Sequence, residues 1–299
     1  GQKNCSPQIE RRKINMTSSE IINLKKMSNE EIMVAIGQDK GSNVGPSVPR
    51  LGINRSPEDD NGNRLPMGNY FVYDSSVGGN IFGIPVTFRP FLSEMQYMHF
   101  DPVKNEYVNR SVIFKNWQDE AIDLQGGTKC SKVSRKEIKD LSLEQQAIQK
   151  QIRCYQLLYG LVSFDGKKAN GESHSLKNFP VVWRATGTGF RPIQDAVEKA
   201  KQSKKLLYTC SFTLTSTKQK TGSNVYYVPD IDVNSNANIS MSKDDEAAFT
   251  VFLEIIKSEN DEIVSLWKTA KTKKPTSIDG DTATVIKTVE ADPIEVLSK

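Results

Sequence analysis

The chain has 299 residues, enough for one large domain or two modest ones with a real core. Hydrophobic residues make up 37% and charged residues 25%, which fits a globular centre with polar flanks better than full disorder, and a net charge of only +4 leaves the class of partner to be decided by where the charge sits. No apolar run approaches the ~20 residues of a membrane-spanning helix. The start, Gly1-Gln-Lys-Asn-Cys5, lacks the apolar centre of a secretory signal, so a cytosolic protein with no membrane partner is expected.

Met16-Thr-Ser-Ser-Glu20 reads as a natural beginning, with residues 1–15 as an extension ahead of it. Thr17-x-x-Glu20 and Ser28-x-x-Glu31 are capping-box patterns, predicting one or two short helices over 18–36 that end at Gly37. Asp39 to Pro49, rich in Gly, Ser and Pro, reads as a linker. From about Arg50 to Val233 the pattern changes to strands: Tyr70–Tyr73, Ile81–Phe91, Met95–Phe100 and Tyr107–Phe114 around a turn at Asp101-Pro-Val-Lys-Asn105, Cys154–Phe164, and Phe179–Thr186. Leu206 to Ser216 alternates, with Tyr208, Cys210, Phe212 and Leu214 on one face, and pairs across a loop with Val225–Val228. About seven short strands punctuated by Gly and Pro argue for a barrel or sandwich rather than a parallel sheet.

Helices interrupt the strands. Ser134-x-x-Glu137 and Ser142-x-x-Gln145 cap a segment over about 135–152, and Pro192 opens a helix over Ile193–Lys201. Ser242-x-x-Asp245 opens another, in which Phe249, Phe252, Leu253 and Ile256 form an apolar stripe, continued by Ile263, Leu266 and Trp267 after Ser258-Glu-Asn260. Residues 275–299 read as a mobile, mildly acidic tail. The expected organisation is an N-terminal extension over 1–47, a strand-rich core over 48–238, a helical segment packing on it over 239–274, and the tail.

Catalytic and metal-binding signatures are sparse. Cys5, Cys130, Cys154 and Cys210 are scattered and accompanied only by His99 and His174, so reduced, mostly buried thiols are expected rather than a zinc site. Asp230 and Asp232 share a strand face and could hold a metal, or simply mark a strand end turning to solvent. Gly187-Thr-Gly189 follows the apolar run Val181-Val-Trp183. It lacks the lysine of a P-loop and the third glycine of a dinucleotide fingerprint, so a strand-to-helix bend is the better reading.

What remains is positive charge interleaved with rings. Arg89 and Phe91 share a strand face; Lys129 and Lys132 begin a basic run; Arg153, Tyr155 and Tyr159 lie along one strand. Trp183, Arg184, Phe190 and Arg191 bracket the glycine pair, and Lys218 and Lys220 sit in a hairpin loop. Rings stack on unpaired bases while cations track phosphates, the two requirements for holding a single strand. Trp183 alternates with Val181 and Ala185, the pattern of a core-facing position as well.

Several short motifs carry a family likeness: Pro49-Arg-Leu51, Gly68-Asn-Tyr70, Val86-Thr-Phe-Arg-Pro-Phe91, Gly126-Gly-x-Lys-Cys130, Cys154-x-Gln156, and Val182-Trp-Arg-x-x-Gly-x-x-Phe-x-Pro192. Over about residues 48–270 the sequence resembles phage-encoded single-stranded DNA-binding proteins. The resemblance implies an oligonucleotide/oligosaccharide-binding (OB-fold) barrel that coats unwound DNA during replication and recombination, in the cytoplasm of an infected bacterial host. It implies an acidic C-terminal tail that recruits replication or recombination proteins. Carried over by position, Arg89, Phe91, Trp183, Arg184, Phe190 and Arg191 fall in the matching segments. The chain departs from the family in its less acidic ending, Leu297-Ser-Lys299, and in lacking the zinc-ligand cluster of some relatives.

The expectation is therefore an α+β protein, mainly a β OB-fold-like barrel with inserted and flanking helices. Its expected function is non-enzymatic single-stranded DNA binding with no cofactor. The rival readings are a metal-dependent nuclease acting through Asp230 and Asp232, and a virion structural or assembly protein.

Overall fold

The computed structural model describes residues 48–272. The capping-box helices expected over 18–36, the linker and the tail over 275–299 lie outside the described residues. Nine strands form one mixed sheet: β1 (Arg50–Ile53), β2 (Tyr70–Asp74), β3 (Gly79–Gly83), β4 (Val86–Asp101), β5 (Glu106–Arg110), β6 (Ile152–Lys167), β7 (Ser173–Ala185), β8 (Ser211–Thr221) and β9 (Asn224–Asn234). Three α-helices accompany them: α1 (Leu143–Gln151), α2 (Phe190–Gln202) and α3 (Lys243–Thr272). The architecture is α+β and dominated by the sheet.

Part of the sheet curls into a closed ring. β1, β2 and β3 form an antiparallel meander, β3 meets β6 at Phe82 and Lys167, β6 runs antiparallel to β7, and β7 closes on β1 in parallel, Arg50 opposite Val182. β3 and β4 are separated only by Ile84 and the cis-linked Pro85, so one bent path serves the ring and then continues along β6. β4 also carries β5 and the β8–β9 hairpin on its other edge.

The alternation along each strand sorts side chains into two cores. Inside the ring lie Leu51, Tyr70, Val72, Phe88, Leu158 and Trp183, with Tyr70 and Phe88 meeting the indole edge-on. Helix α2 closes this core with Ile193, Ala196, Val197 and Ala200, spaced i, i+3, i+4 and i+7. On the opposite face Phe91, Leu157, Tyr159, Leu161 and Val182 are covered by Ala248, Val251, Phe252 and Ile255 of α3. A third, smaller cluster holds Met95, Tyr97, Phe114 and Ile152.

Among the sequence boundaries that shift, three do so for identifiable reasons. The segment over 135–152 divides into a 3-10 turn, Glu137–Asp140, and α1, because both capping boxes form separately: Ser142 Oγ accepts from Gln145 N while Gln145 returns to Ser142 N. Leu207–Thr209 is a 3-10 turn, and β8 starts only at Ser211. Helix α3 runs unbroken through Ser258-Glu-Asn260, since these polar residues are contacts rather than breakers. Glu259 accepts from Gln96 Nε2 at 2.7 Å, and Asn260 exchanges two hydrogen bonds with the Ile113 backbone. The helix is bolted down at both ends, by Ser242 and Asp245 at its start and by Trp267 Nε1 to Gly127 O near its finish.

Candidate nucleic-acid interface

The alternation that puts Leu51, Tyr70 and Trp183 inside the ring puts Arg50, Gly52, Phe71 and Arg184 outside it. Helix α3 covers only part of that outer face. Where it stops there is a cleft of about 310 Å³ whose lining includes Arg50, Arg55, Phe71, Tyr155, Arg184 and Tyr227. Three arginines and four aromatic residues, the largely buried Trp183 among them, thus converge, and none of the cleft's lining residues is a carboxylate. Of the remaining contributors, Trp183 and Ile53 also pack in the ring core, and Gly52, Ala185, Thr186, Gly189 and Pro229 are small.

Local chemistry sets the rings in place. A Cβ on Gly52 would come within 2.6 Å of the Phe71 ring, so glycine there lets the ring lie flat against β1. Gly68, at φ +84°, admits the Tyr227 ring at the same closeness, and Ser216 Oγ donates to Gly68 O at 2.6 Å. That turn ties the hairpin to the ring. Along the hairpin Lys218 stands opposite Tyr227 and Lys220 opposite Val225, so both lysines share the face of the cleft-lining tyrosine. Both are exposed and extend the positive track outward.

At the other end, Tyr155 Oη lies 3.3 Å from Tyr107 Oη. Burial and the Tyr107 hydroxyl push the Tyr155 phenol up to about 12, while Arg153 and Arg50 pull it down, which places both cations around this ring. Lys132 is held below its ordinary value by burial and then by Arg153; its Nζ donates to Gln149 O, so it is partly committed to structure. Arg184 Nε is buried without a hydrogen-bond partner among the described residues. Gly189, immediately ahead of α2, lines the cleft, and no side chain caps that helix, so its electropositive end sits at the rim.

The sequence-derived candidates separate into groups. Arg153, Tyr155, Arg184, Lys218 and Lys220 fall in or along the cleft. Of the rest, Arg89, Phe91, Tyr159 and Trp183 are buried. Arg89 is buried, donating from Nε to Tyr208 O, from Nη1 to Asp245 Oδ2 at 2.7 Å, and from Nη2 to Ser240 O. Burial pushes the Asp245 carboxyl up, but hydrogen bonds from Ser242 and Arg89 outweigh it and hold it below its ordinary value. Phe91 stacks edge-on with Phe249 and Phe252, and Tyr159 tilts against Phe252, so α3 seals both from any base. Trp183 is 3% exposed within the ring core, as its alternation with Val181 and Ala185 permits, and it is also one of the cleft's lining residues.

Phe190 and Arg191 stand outside the cleft on α2. Phe190 is half-buried with its ring 6.2 Å from Trp117, and exposed Arg191 pairs with Asp195 one turn on. Lys129 belongs to a left-handed turn: Lys129, Cys130 and Ser131 have φ of 52°, 53° and 60°. Buried Asp123 holds that loop by accepting from the backbone N–H of Gln125, Gly127 and Cys130. Of the glycine pair only Gly187 has positive φ (+59°), consistent with a strand-to-helix bend.

Sequence reasoning missed Arg50, Arg55, Phe71 and Tyr227. For Arg50 and Phe71 the usable signal was the strand period itself, since each flanks a residue that must face inward; pairing β1 beside β7 was the information lacking. Asp230 and Asp232 are exposed, opposite Thr215 and Thr213, and no group of three or more metal-ligating side chains occurs among the described residues. Burial pushes the Cys154 thiol up to about 12 and raises those of Cys130 and Cys210, so these free thiols are poor nucleophiles. No helix among the described residues is long and apolar enough to cross a membrane. No protein-family model matches the chain, and neither a curated protein nor a solved structure does.

Proposed function

We propose that this protein is a non-enzymatic single-stranded DNA-binding protein whose strand lies in the cleft between Arg50, Arg184 and Tyr227. The observation that carries the reading is the composition of that cleft: three arginines and four aromatic residues with no lining carboxylate. A duplex offers phosphates but hides its base faces, so rings at the floor of a basic cleft favour unpaired strands. Backbone capture by the arginines and by Lys218 and Lys220 would come first, and stacking on Phe71, Tyr155 and Tyr227 would follow.

An OB-fold relationship belongs to the same proposal. Five-strand closure and a groove on the outer face support it; strands that succeed one another around the ring in chain order depart from the Greek-key path of that fold. Coating of DNA in phage replication and recombination, and recruitment of partner enzymes through residues 275–299, rest on the family resemblance alone. The test is a fluorescence titration with single- and double-stranded oligonucleotides at several salt concentrations. Preference for the single strand and a steep loss of affinity with salt are expected. Equal affinity for duplex near ~0.15 M salt removes the stacking component.

A further inference from the structure

A second pocket, of about 200 Å³, lies across the Gly187–Gly189 turn from the cleft, between β4, α2 and the loop after Phe114. Its walls carry Asn116, Trp117, Gln118, Gln156 and Gln194. Gln156 is 6% exposed and donates from Nε2 to Ser93 Oγ at 2.8 Å, while its Oε1 accepts from no group among the described residues. The charge here is largely internal: Lys201 pairs with Glu198 at 3.3 Å, and Lys115, a lining residue, stands near Glu94 and Asp119. Unspent capacity is therefore amide donors and acceptors beside a tryptophan. A planar heterocycle with donors and acceptors on its edge matches that chemistry, as Asn and Gln side chains match base edges.

The position adds to the chemistry. Gly189 lines the cleft, Phe190 follows it directly, and the Phe190 ring meets the Trp117 ring of the second pocket at 6.2 Å. Both rings are half-buried, so they form a ridge with partly open faces between the two sites.

We infer that the pocket lined by Trp117, Gln118, Gln156 and Gln194 receives one unpaired nucleobase of the strand held in the cleft. This rests on the single-strand reading of the cleft. The strand passes the Phe190–Trp117 ridge, Lys115 meets the adjoining phosphate, and the amides read the base edge. The second pocket thus gives the protein a base preference at one position that the arginine cleft alone would lack.

The test compares the full chain with a Gln118→Ala/Gln194→Ala variant, using oligo-dT of about 4 and about 12 nucleotides, lengths at the short and long ends of ordinary site sizes. The variant should bind the longer strand about tenfold more weakly, the loss expected from two amide contacts, and the shorter strand unchanged. Unchanged affinity for the longer strand overturns the pocket while leaving the cleft. Failure of the unaltered chain to bind either strand overturns the cleft reading on which it stands. A second arm needs no variant: an abasic nucleotide is moved along the longer strand. Loss of affinity at a position separate from the cleft-bound run supports the pocket, and loss within one continuous run alone overturns it.

Discussion

The outer face of the ring carries two neighbouring regions of nearly the same composition and opposite fate. Beneath α3 lie Arg89, Phe91 and Tyr159; beyond its cover lie Arg50, Arg55, Arg184, Phe71 and Tyr155. The covered arginine meets a carboxylate and two carbonyls, and the covered rings meet Phe249 and Phe252. The uncovered arginines line a cleft with no carboxylate among its lining residues, and one of them keeps a buried nitrogen unpartnered. What decides whether an arginine beside an aromatic ring is structural or available for a ligand is thus the path of a helix more than 150 residues away in sequence, as the Arg89–Asp245 separation of 156 shows.

The largest expected effect breaks the covered region. Arg89→Ala leaves Asp245 charged and buried, and removing one partner of such a pair costs ~3–5 kcal/mol. Thermal or denaturant unfolding should show that loss. Among variants that remain folded at low temperature, the salt dependence of oligo-dT binding should be unaltered. A DNA-specific defect without destabilisation would place Arg89 in the interface.

Glu94 sharpens the same contrast through pH. It is 3% exposed, and burial raises its carboxyl from 4.5 to about 7, with Lys115 pulling down and Asp119 pushing up. The folded chain therefore holds this proton more tightly than the unfolded chain. The fold loses stability as pH rises from 4.5 to about 7 and stays at the lower level above that. Glu94→Gln should raise stability at alkaline pH by up to ~3 kcal/mol and change it little below the ordinary carboxylate value. A pH-independent difference would show that packing, not ionisation, dominates there.

Two rings make a smaller, paired test. Tyr227→Ala should cost ~1–3 kcal/mol of oligo-dT affinity through the lost stack. Tyr159→Ala should lower the melting temperature, because its ring fills the space against Phe252. If Tyr159→Ala weakened DNA binding in a fully folded protein and Tyr227→Ala did not, the two regions would have been assigned the wrong way round.

The smallest effect separates the glycines of the bend. Gly187 has positive φ and open space around a hypothetical Cβ, so Gly187→Ala should cost about 1 kcal/mol from backbone conformation alone. Gly189 has ordinary φ and only 3.5 Å contact to Ala185, so Gly189→Ala should be close to neutral in unfolding experiments.

Local physics was legible in the sequence, and long-range pairing was not. The Ser142 and Ser242 capping boxes, the alternation through Phe212 and Leu214, and the apolar stripe of α3 all announce themselves within a few residues. Tyr155, Arg184, Lys218 and Lys220 stand out in the sequence because a ring or cation on a strand is visible locally. The burial of Arg89, Phe91 and Tyr159 is not, because it depends on α3. Arg50 and Phe71 went unnoticed because β1 joins β7 across more than a hundred residues, Arg50 opposite Val182. Trp183 shows the boundary of the method: the period of two already contained its inward direction, and the family likeness pulled the reading outward.

The most direct measurement of the central claim is the salt dependence of oligo-dT affinity for the full chain and an Arg50→Ala/Arg184→Ala variant. If the uncovered region holds the strand, the slope of log affinity against log salt becomes shallower by about 2, roughly 1 for each phosphate contact removed. An unchanged slope in a folded variant would contradict the account, because the strand would then lie elsewhere on the molecule.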